Sequence, residues 1–92
     1  MSEFRDRVFS VLMSIPKGSV LTYTQVAGQA GNAKASRAVG NIIGTNFDPD
    51  IPCHRVVRSN GELGGYNRGV EQKKKLLTQE GVLFITENRV AL

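Results

Sequence analysis

The stretch LTYTQVAGQAGNAKASRAVGNIIG (Leu21–Gly44) does most to limit how this chain can fold, because it forces one helical run into two. Thr22 followed by Gln25 is a capping box, in which side chain and backbone satisfy each other's exposed amides at a helix start. Gly31 suits a left-handed helix stop, and Asn32 suits the N-cap of the helix that follows. Ala35, Ala38, Val39, Ile42 and Ile43 then make one apolar face. Two short helices joined by a tight Gly-Asn turn predict a helix-turn-helix over 22–44. The same pattern fits an ordinary helical hairpin, and the residues alone leave both open.

Before it, Ser2 to about Ile15 carries Phe4, Val8, Val11, Leu12 and Ile15 at helical spacing, with Ser2 as the expected N-cap and Pro16–Ser19 as the stop. After it, Thr45 to Gly69 reads mostly as loop. Pro49 and Pro52 bar a regular helix leading into Cys53, and Arg55-Val56-Val57 suits a short strand. SNGELGGYNRG (Ser59–Gly69) has glycines enough to fold back sharply or admit a ligand to the backbone. A last helix is expected from Val70 to Gln79 or Glu80, stopped at Gly81, with a short strand or hairpin beyond it. The expected fold is therefore mostly α: one small helical domain over 1–92, winged-helix-like, with a short β element near the C-terminus.

Ninety-two residues, 40% hydrophobic and 22% charged, suit one globular domain with a limited core. A single cysteine excludes an internal disulfide and favours a reducing compartment. No apolar run is long enough to span a membrane, and the charged start MSEFRDRVFSV does not suit a signal peptide. A cytoplasmic protein is expected, nucleoid-associated if prokaryotic. The net charge of +4 favours polyanionic partners, and Lys34, Arg37, Arg55, Arg58 and Arg68 all fall in the central region.

That region holds the sole cysteine and the sole histidine side by side, in DPDIPCHRVV (Asp48–Val57). A free cysteine is often just a small buried hydrophobe. Zinc would need two further ligands, and a cysteine protease would need a histidine distant in sequence, which this chain lacks. The remaining alternative is a nucleophile whose thiol pKa is lowered to give thiolate near neutral pH. Consecutive side chains rarely face one another, so a bridging water suits proton transfer from Cys53 to His54. A carboxylate would fix the histidine's tautomer. Glu80 is the candidate, since it follows Leu76 and Leu77 by one helical turn and so points inward, where His54 or Arg55 would pair with it. A glutamate reaching water from a frayed helix end is the competing reading.

IPCHRVV (Ile51–Val57) resembles the active-site motif of the O6-alkylguanine-DNA alkyltransferases, the methylated-DNA–protein-cysteine methyltransferases, whose core is Pro-Cys-His-Arg-Val. YTQVAGQAGNAKASRAVGNIIGTN is similar to that family's helix-turn-helix, and NGELGGYNRGVEQKKKLLTQEGV to its pocket loop and final helix. The likeness runs from Phe4 to Val82, with the motifs in family order. It implies direct reversal of DNA damage by a suicide, single-turnover methyltransferase. The protein enters the minor groove of double-stranded DNA, largely without regard to sequence, and flips out the O6-alkylguanine. The alkyl group then passes to a cysteine.

The resemblance further implies particular roles. Cys53 is the acceptor, His54 the water-mediated base and Glu80 its orienting partner. Tyr23 helps rotate the nucleotide, Arg37 fills the gap in the base stack, and Asn46 braces the turn before the active site. The carbonyls of Cys53 and Val56 receive the guanine amino group, while Tyr66 and the Asn67 backbone shape the pocket. Flipping costs a few kcal/mol. A groove about 6 Å wide needs a slim helix face, which Ala33, Ala35, Ser36 and Gly40 would provide. No cofactor or metal is implied, and a monomer is expected.

Three departures bear on this reading. The resemblance does not take in the family's usual N-terminal domain, which the chain is expected to lack, and the segment between Asn46 and Cys53 reads as one residue short. Arg68 stands where the family has a small residue, so it would narrow the pocket or contact the alkylated base or a phosphate. The alternative is therefore an alkyltransferase-like sensor, which binds O6-alkylguanine DNA and flags it without transfer. Such relatives usually carry Trp or Ala at the cysteine position, which favours the transferase here.

Overall fold

A helix with an i, i+4 apolar stripe opens the fold: α1 (Glu3–Ser14) buries Val8 and Leu12 completely. The computed structural model describes residues 3–92, so the expected N-cap Ser2 lies outside the described residues. Pro16 to Ser19 turns the chain, with the Ser19 amide donating to the Pro16 carbonyl at 3.0 Å. A two-residue strand, β1 (Leu21–Thr22), follows and leads directly into α2 (Tyr23–Gln29). The capping box is present in full: the Gln25 amide donates to Thr22 Oγ1 at 3.1 Å, and the Thr22 amide to Gln25 Oε1 at 2.8 Å. Gly31 takes the left-handed stop at φ +106°.

Asn32 departs from expectation. Its side chain accepts from the Lys34 amide at 3.1 Å, and its carbonyl from the Ala35 amide at 3.0 Å. This local turn competes with capping and postpones the next helix, α3 (Ser36–Gly44), whose N-cap is Ala35 with no side-chain bond. The linker is thus longer than a tight Gly-Asn turn, and Ala33 lies in it rather than on the helix.

Val39 and Ile43 of α3 enter one core with Val8, Leu12, Ile15, Val26, Ala27, Ala30, Cys53 and Val56. Full burial of each aliphatic side chain contributes roughly 1.5–3 kcal/mol. Beyond an exposed loop, a single 3₁₀ turn (Cys53–Arg55) runs into β2 (Val56–Val57), which pairs parallel with β1 in the register Leu21 to Val56 and Thr22 to Val57. Alternation along β2 sends Val56 into the first core and Val57 into a second, with Leu63, Leu77 and Val90. The second core lies under α4 (Val70–Gln79) and the antiparallel hairpin of β3 (Phe84–Thr86) and β4 (Arg89–Val90). The mostly helical class, the helix-turn-helix and the C-terminal β element all stand as expected; β1 was not anticipated.

Candidate active site

Pro52 and the 3₁₀ turn decide where the thiol goes. The Cys53 amide donates to the Ile51 carbonyl at 2.8 Å and the Arg55 amide to the Pro52 carbonyl at 3.1 Å, a bend that sets Cys53 and His54 both inward. They line one cavity of about 200 Å³ together with Asn46, Tyr66, Asn67 and Arg68. Cys53 is only 4% exposed. Its sulfur accepts from Asn46 Nδ2 at 3.0 Å.

Glu80 caps the C-terminal end of α4, and its carboxylate turns inward. It accepts from His54 Nε2 at 2.9 Å, from Arg55 Nε at 3.0 Å and from Arg55 Nη2 at 2.8 Å. Arg55 also donates from Nη1 to the Ile15 carbonyl at 2.8 Å, which ties the cluster to the end of α1. The Arg55 hydrogen bonds, followed by those from His54, hold the Glu80 carboxyl below its ordinary range against the opposing effect of burial. An ionised carboxylate only accepts, so the hydrogen of this bond sits on His54 Nε2, an arrangement that in the neutral ring makes Nδ1 the lone pair. That is the correct tautomer for a base.

The thiol itself differs from expectation. Burial pushes the Cys53 pKa up, outweighing the Asn46 hydrogen bond and the charges of Arg68 and Lys73. Burial thus favours the thiol over the thiolate at this position.

The pocket loop is tied down by its own side chains. Asn67 Nδ2 donates to the carbonyl of Asn46 and reaches those of Ile43 and Gly44 at 3.4 Å, so its side chain closes the C-terminal end of α3. Arg68 donates to the Phe47 carbonyl, bridging loop to loop beside the cavity. Tyr66 is half-buried against the first core.

Tyr23 and Arg37 lie elsewhere, on a broad open depression of about 760 Å³ that includes Ser36, Gly40 and Arg58. Burial raises the Tyr23 hydroxyl pKa, with Arg58 pulling it down. Gly64, at φ +71°, lets that hydroxyl approach, since a Cβ there would sit 3.3 Å from it. Val56 is wholly buried in β2, and its carbonyl already accepts one bond.

The donor of that bond is Lys73, which the sequence reading missed. It has no exposed surface; Nζ reaches the Val56 carbonyl at 2.6 Å and that of Gly65 at 3.3 Å, and lies 5.9 Å from the Tyr23 ring centre. Burial lowers its pKa to about 8. Its place four residues before Leu77, on the inward stripe, was the available signal. Among the described residues no cluster of three or more His, Cys, Asp or Glu side chains is placed to hold a metal.

Comparison with known proteins bears on this arrangement. Residues 3–82 match the family described as 6-O-methylguanine DNA methyltransferase, DNA binding domain. A methylated-DNA–protein-cysteine methyltransferase of Methanothermobacter thermautotrophicus is 51% identical over 81 residues, covering 88% of this chain and 46% of the relative. One from Salmonella typhimurium is 45% identical over 83 residues, covering 89% and 48%. The chain thus spans about half the length of the curated relatives it matches. Among solved structures, Mycobacterium tuberculosis OGT in complex with DNA superposes with a TM-score of 0.82 at 40% identity, over 87% of this chain and 49% of that one. S. pombe Atl1, in complex with damaged DNA containing O6-carboxymethylguanine, gives 0.83 at 29% identity, over 100% and 90%.

Proposed function

The chain belongs to the 6-O-methylguanine DNA methyltransferase family, through its DNA-binding domain, and from that premise we propose that it reverses O6-alkylguanine damage in duplex DNA by single-turnover transfer to Cys53. The observation carrying this reading is the hydrogen bond from His54 Nε2 to Glu80 at 2.9 Å, with His54 and the Cys53 thiol on one cavity.

In the reaction, Arg37 stands in the gap left by the flipped nucleotide while Tyr23 turns it and donates to the guanine ring. The base enters the cavity between Tyr66 and the Asn67 backbone, with its amino group toward the carbonyls of Cys53 and Val56. The Val56 carbonyl, already bonded to Lys73, keeps a second lone pair for it. His54 Nδ1 takes the thiol proton through a bridging water, and Glu80 offsets the charge that appears on the ring. Cys53 Sγ then bonds to the alkyl carbon as the bond from that carbon to O6 breaks. The electron pair stays on the base, and the proton lost by the thiol is the one guanine gains overall. Asn46 donates to the sulfur as its charge develops. The thioether is not reopened by any group in the site, so each molecule acts once.

No helix among the described residues is long and apolar enough to cross a membrane. A cytoplasmic or nucleoid setting is our reading of where a protein acting on DNA would work.

A specific observation favours the sensor as the second reading: Atl1 superposes over 100% of this chain, whereas Mycobacterium tuberculosis OGT superposes over 87% of it. Mixing the protein with a duplex containing O6-methylguanine, then weighing the proteolytic peptide that bears Cys53, separates the two. A gain of one methyl group supports transfer. Tight binding with an unmodified thiol assigns the chain to the sensors.

A further inference from the structure

We propose that Arg58 is a phosphate anchor for the nucleotide turned out of the duplex, a role that rests on the DNA-damage reading above and adds a contact to it. Arg58 and Arg37 line the same open depression, whose walls carry hydroxyls and amides but no carboxylate. Arg7, Arg55 and Arg89 each hold a carboxylate; Arg58 and Arg37 form no ion pair among the described residues. Glu62, the acid nearest Arg58 in sequence, is engaged by Arg89 at 3.6 Å and Asn60 at 2.6 Å. Two guanidiniums facing open space with no internal anion make a seat for an external one.

The position of Arg58 is fixed rather than casual. Its amide donates to the Glu62 carbonyl and its carbonyl accepts from the Gly61 amide, both at 2.9 Å, in the turn that leaves β2. Its Cγ and the Tyr23 hydroxyl lie 3.4 and 3.3 Å from where a side chain on Gly64 would begin. The guanidinium therefore starts beside the hydroxyl assigned to turning the nucleotide.

Size divides the labour. The cavity holding Cys53, at about 200 Å³, can receive the alkylated edge of a base but not its backbone as well. The phosphate must remain outside Tyr23, over the depression of about 760 Å³. There Arg37 rises from α3 on one wall and Arg58 from the turn after β2 on the other. One fills the stack, and the other holds the displaced backbone.

The test uses the full chain and a duplex containing one O6-methylguanine, with affinity measured across a range of salt. Arg58→Ala is expected to reduce the slope of log affinity against log salt by about 1 and to weaken binding roughly tenfold near 0.1 M salt, while Arg58→Lys retains the slope. Lys17→Ala, a charge outside the depression, should leave the slope unchanged. Replacing one flanking phosphate by a neutral methylphosphonate should weaken the wild-type protein roughly tenfold and Arg58→Ala less than twofold, since the contact is already gone. Thermal unfolding of each variant checks that the fold persists. An unaltered slope in folded Arg58→Ala, or equal phosphonate losses in both proteins, overturns the anchor. If the anchor passes while the Cys53 peptide gains no methyl group, the transfer reading falls and Arg58 keeps its role.

Discussion

Asn46 donates its side-chain amide to the sulfur of Cys53 across 3.0 Å, from the loop that leaves the helix-turn-helix to the residue that would take the alkyl group. The bond opposes the burial that keeps the thiol protonated, because a donor favours thiolate over thiol.

Asn46→Ala should therefore push the thiol pKa further up and slow its chemistry. A hydrogen bond to a charged group is worth about 1.5–3 kcal/mol, so the loss expected at neutral pH is at least roughly tenfold. Alkylation of Cys53 by iodoacetamide, followed over pH, measures it directly. A profile identical to wild type would remove Asn46 from the sulfur's electrostatics.

Glu80 ties stability to acid. Its folded pKa lies below the ordinary value of 4.5, so its stabilisation is complete above that value and is lost as pH falls through the folded pKa. Glu80→Gln should lower stability at pH 7 by roughly 2–3 kcal/mol, since it leaves the Arg55 charge half-buried and unpaired. It should also flatten part of the decline in stability expected as pH falls below the ordinary carboxylate value, read by denaturant unfolding across acid pH. Methyl transfer should fall as well, because His54 loses the partner that fixes its tautomer.

Lys73 works in the same direction at the alkaline end, through its charged form being the disfavoured one. A base lowered from 10.5 to about 8 is more protonated unfolded than folded between those values, so stability rises with pH across that window. A neutral amine still has two hydrogens, matching the two carbonyls of Val56 and Gly65. Lys73→Met should abolish the alkaline gain. It should also cost roughly 2 kcal/mol at pH 7, by leaving those carbonyls without their donor. Urea unfolding at pH 7 and near pH 10, a choice set by the usual lysine range, reads both effects.

Arg37→Ala should slow reaction with duplex at least tenfold more than reaction with the free base O6-methylguanine, an effect on the order of a lost hot-spot arginine. Single-turnover rates on the two substrates give the ratio. Equal losses on both would argue against a place in the base stack.

What the sequence revealed follows the range of the interaction concerned. The Thr22–Gln25 box and the inward turn of Glu80 depend on residues within one helical turn, and both were legible from spacing. Asn32 was misread because capping and a local turn use the same side-chain oxygen, and only packing decides between them. The pairing of β1 with β2 joins residues far apart in two-residue strands, too short to show alternation. Lys73 was hidden for another reason. A lysine among three in a row reads as solvated, and that charge outweighed the one sign of burial, its place on the inward stripe four residues before Leu77.

Those two rungs between Leu21–Thr22 and Val56–Val57 carry a consequence for evolution as well as for chemistry. Tyr23 follows one strand at once and Cys53 precedes the other by one turn, so the offset between them is counted in rungs. A slip by a single residue would slide the aromatic ring about 3.3 Å past the sulfur and reverse the side chains of the slipped strand. Insertions are therefore tolerable in the loops on either side, but a single added residue within these four would put the two halves of the machine out of step.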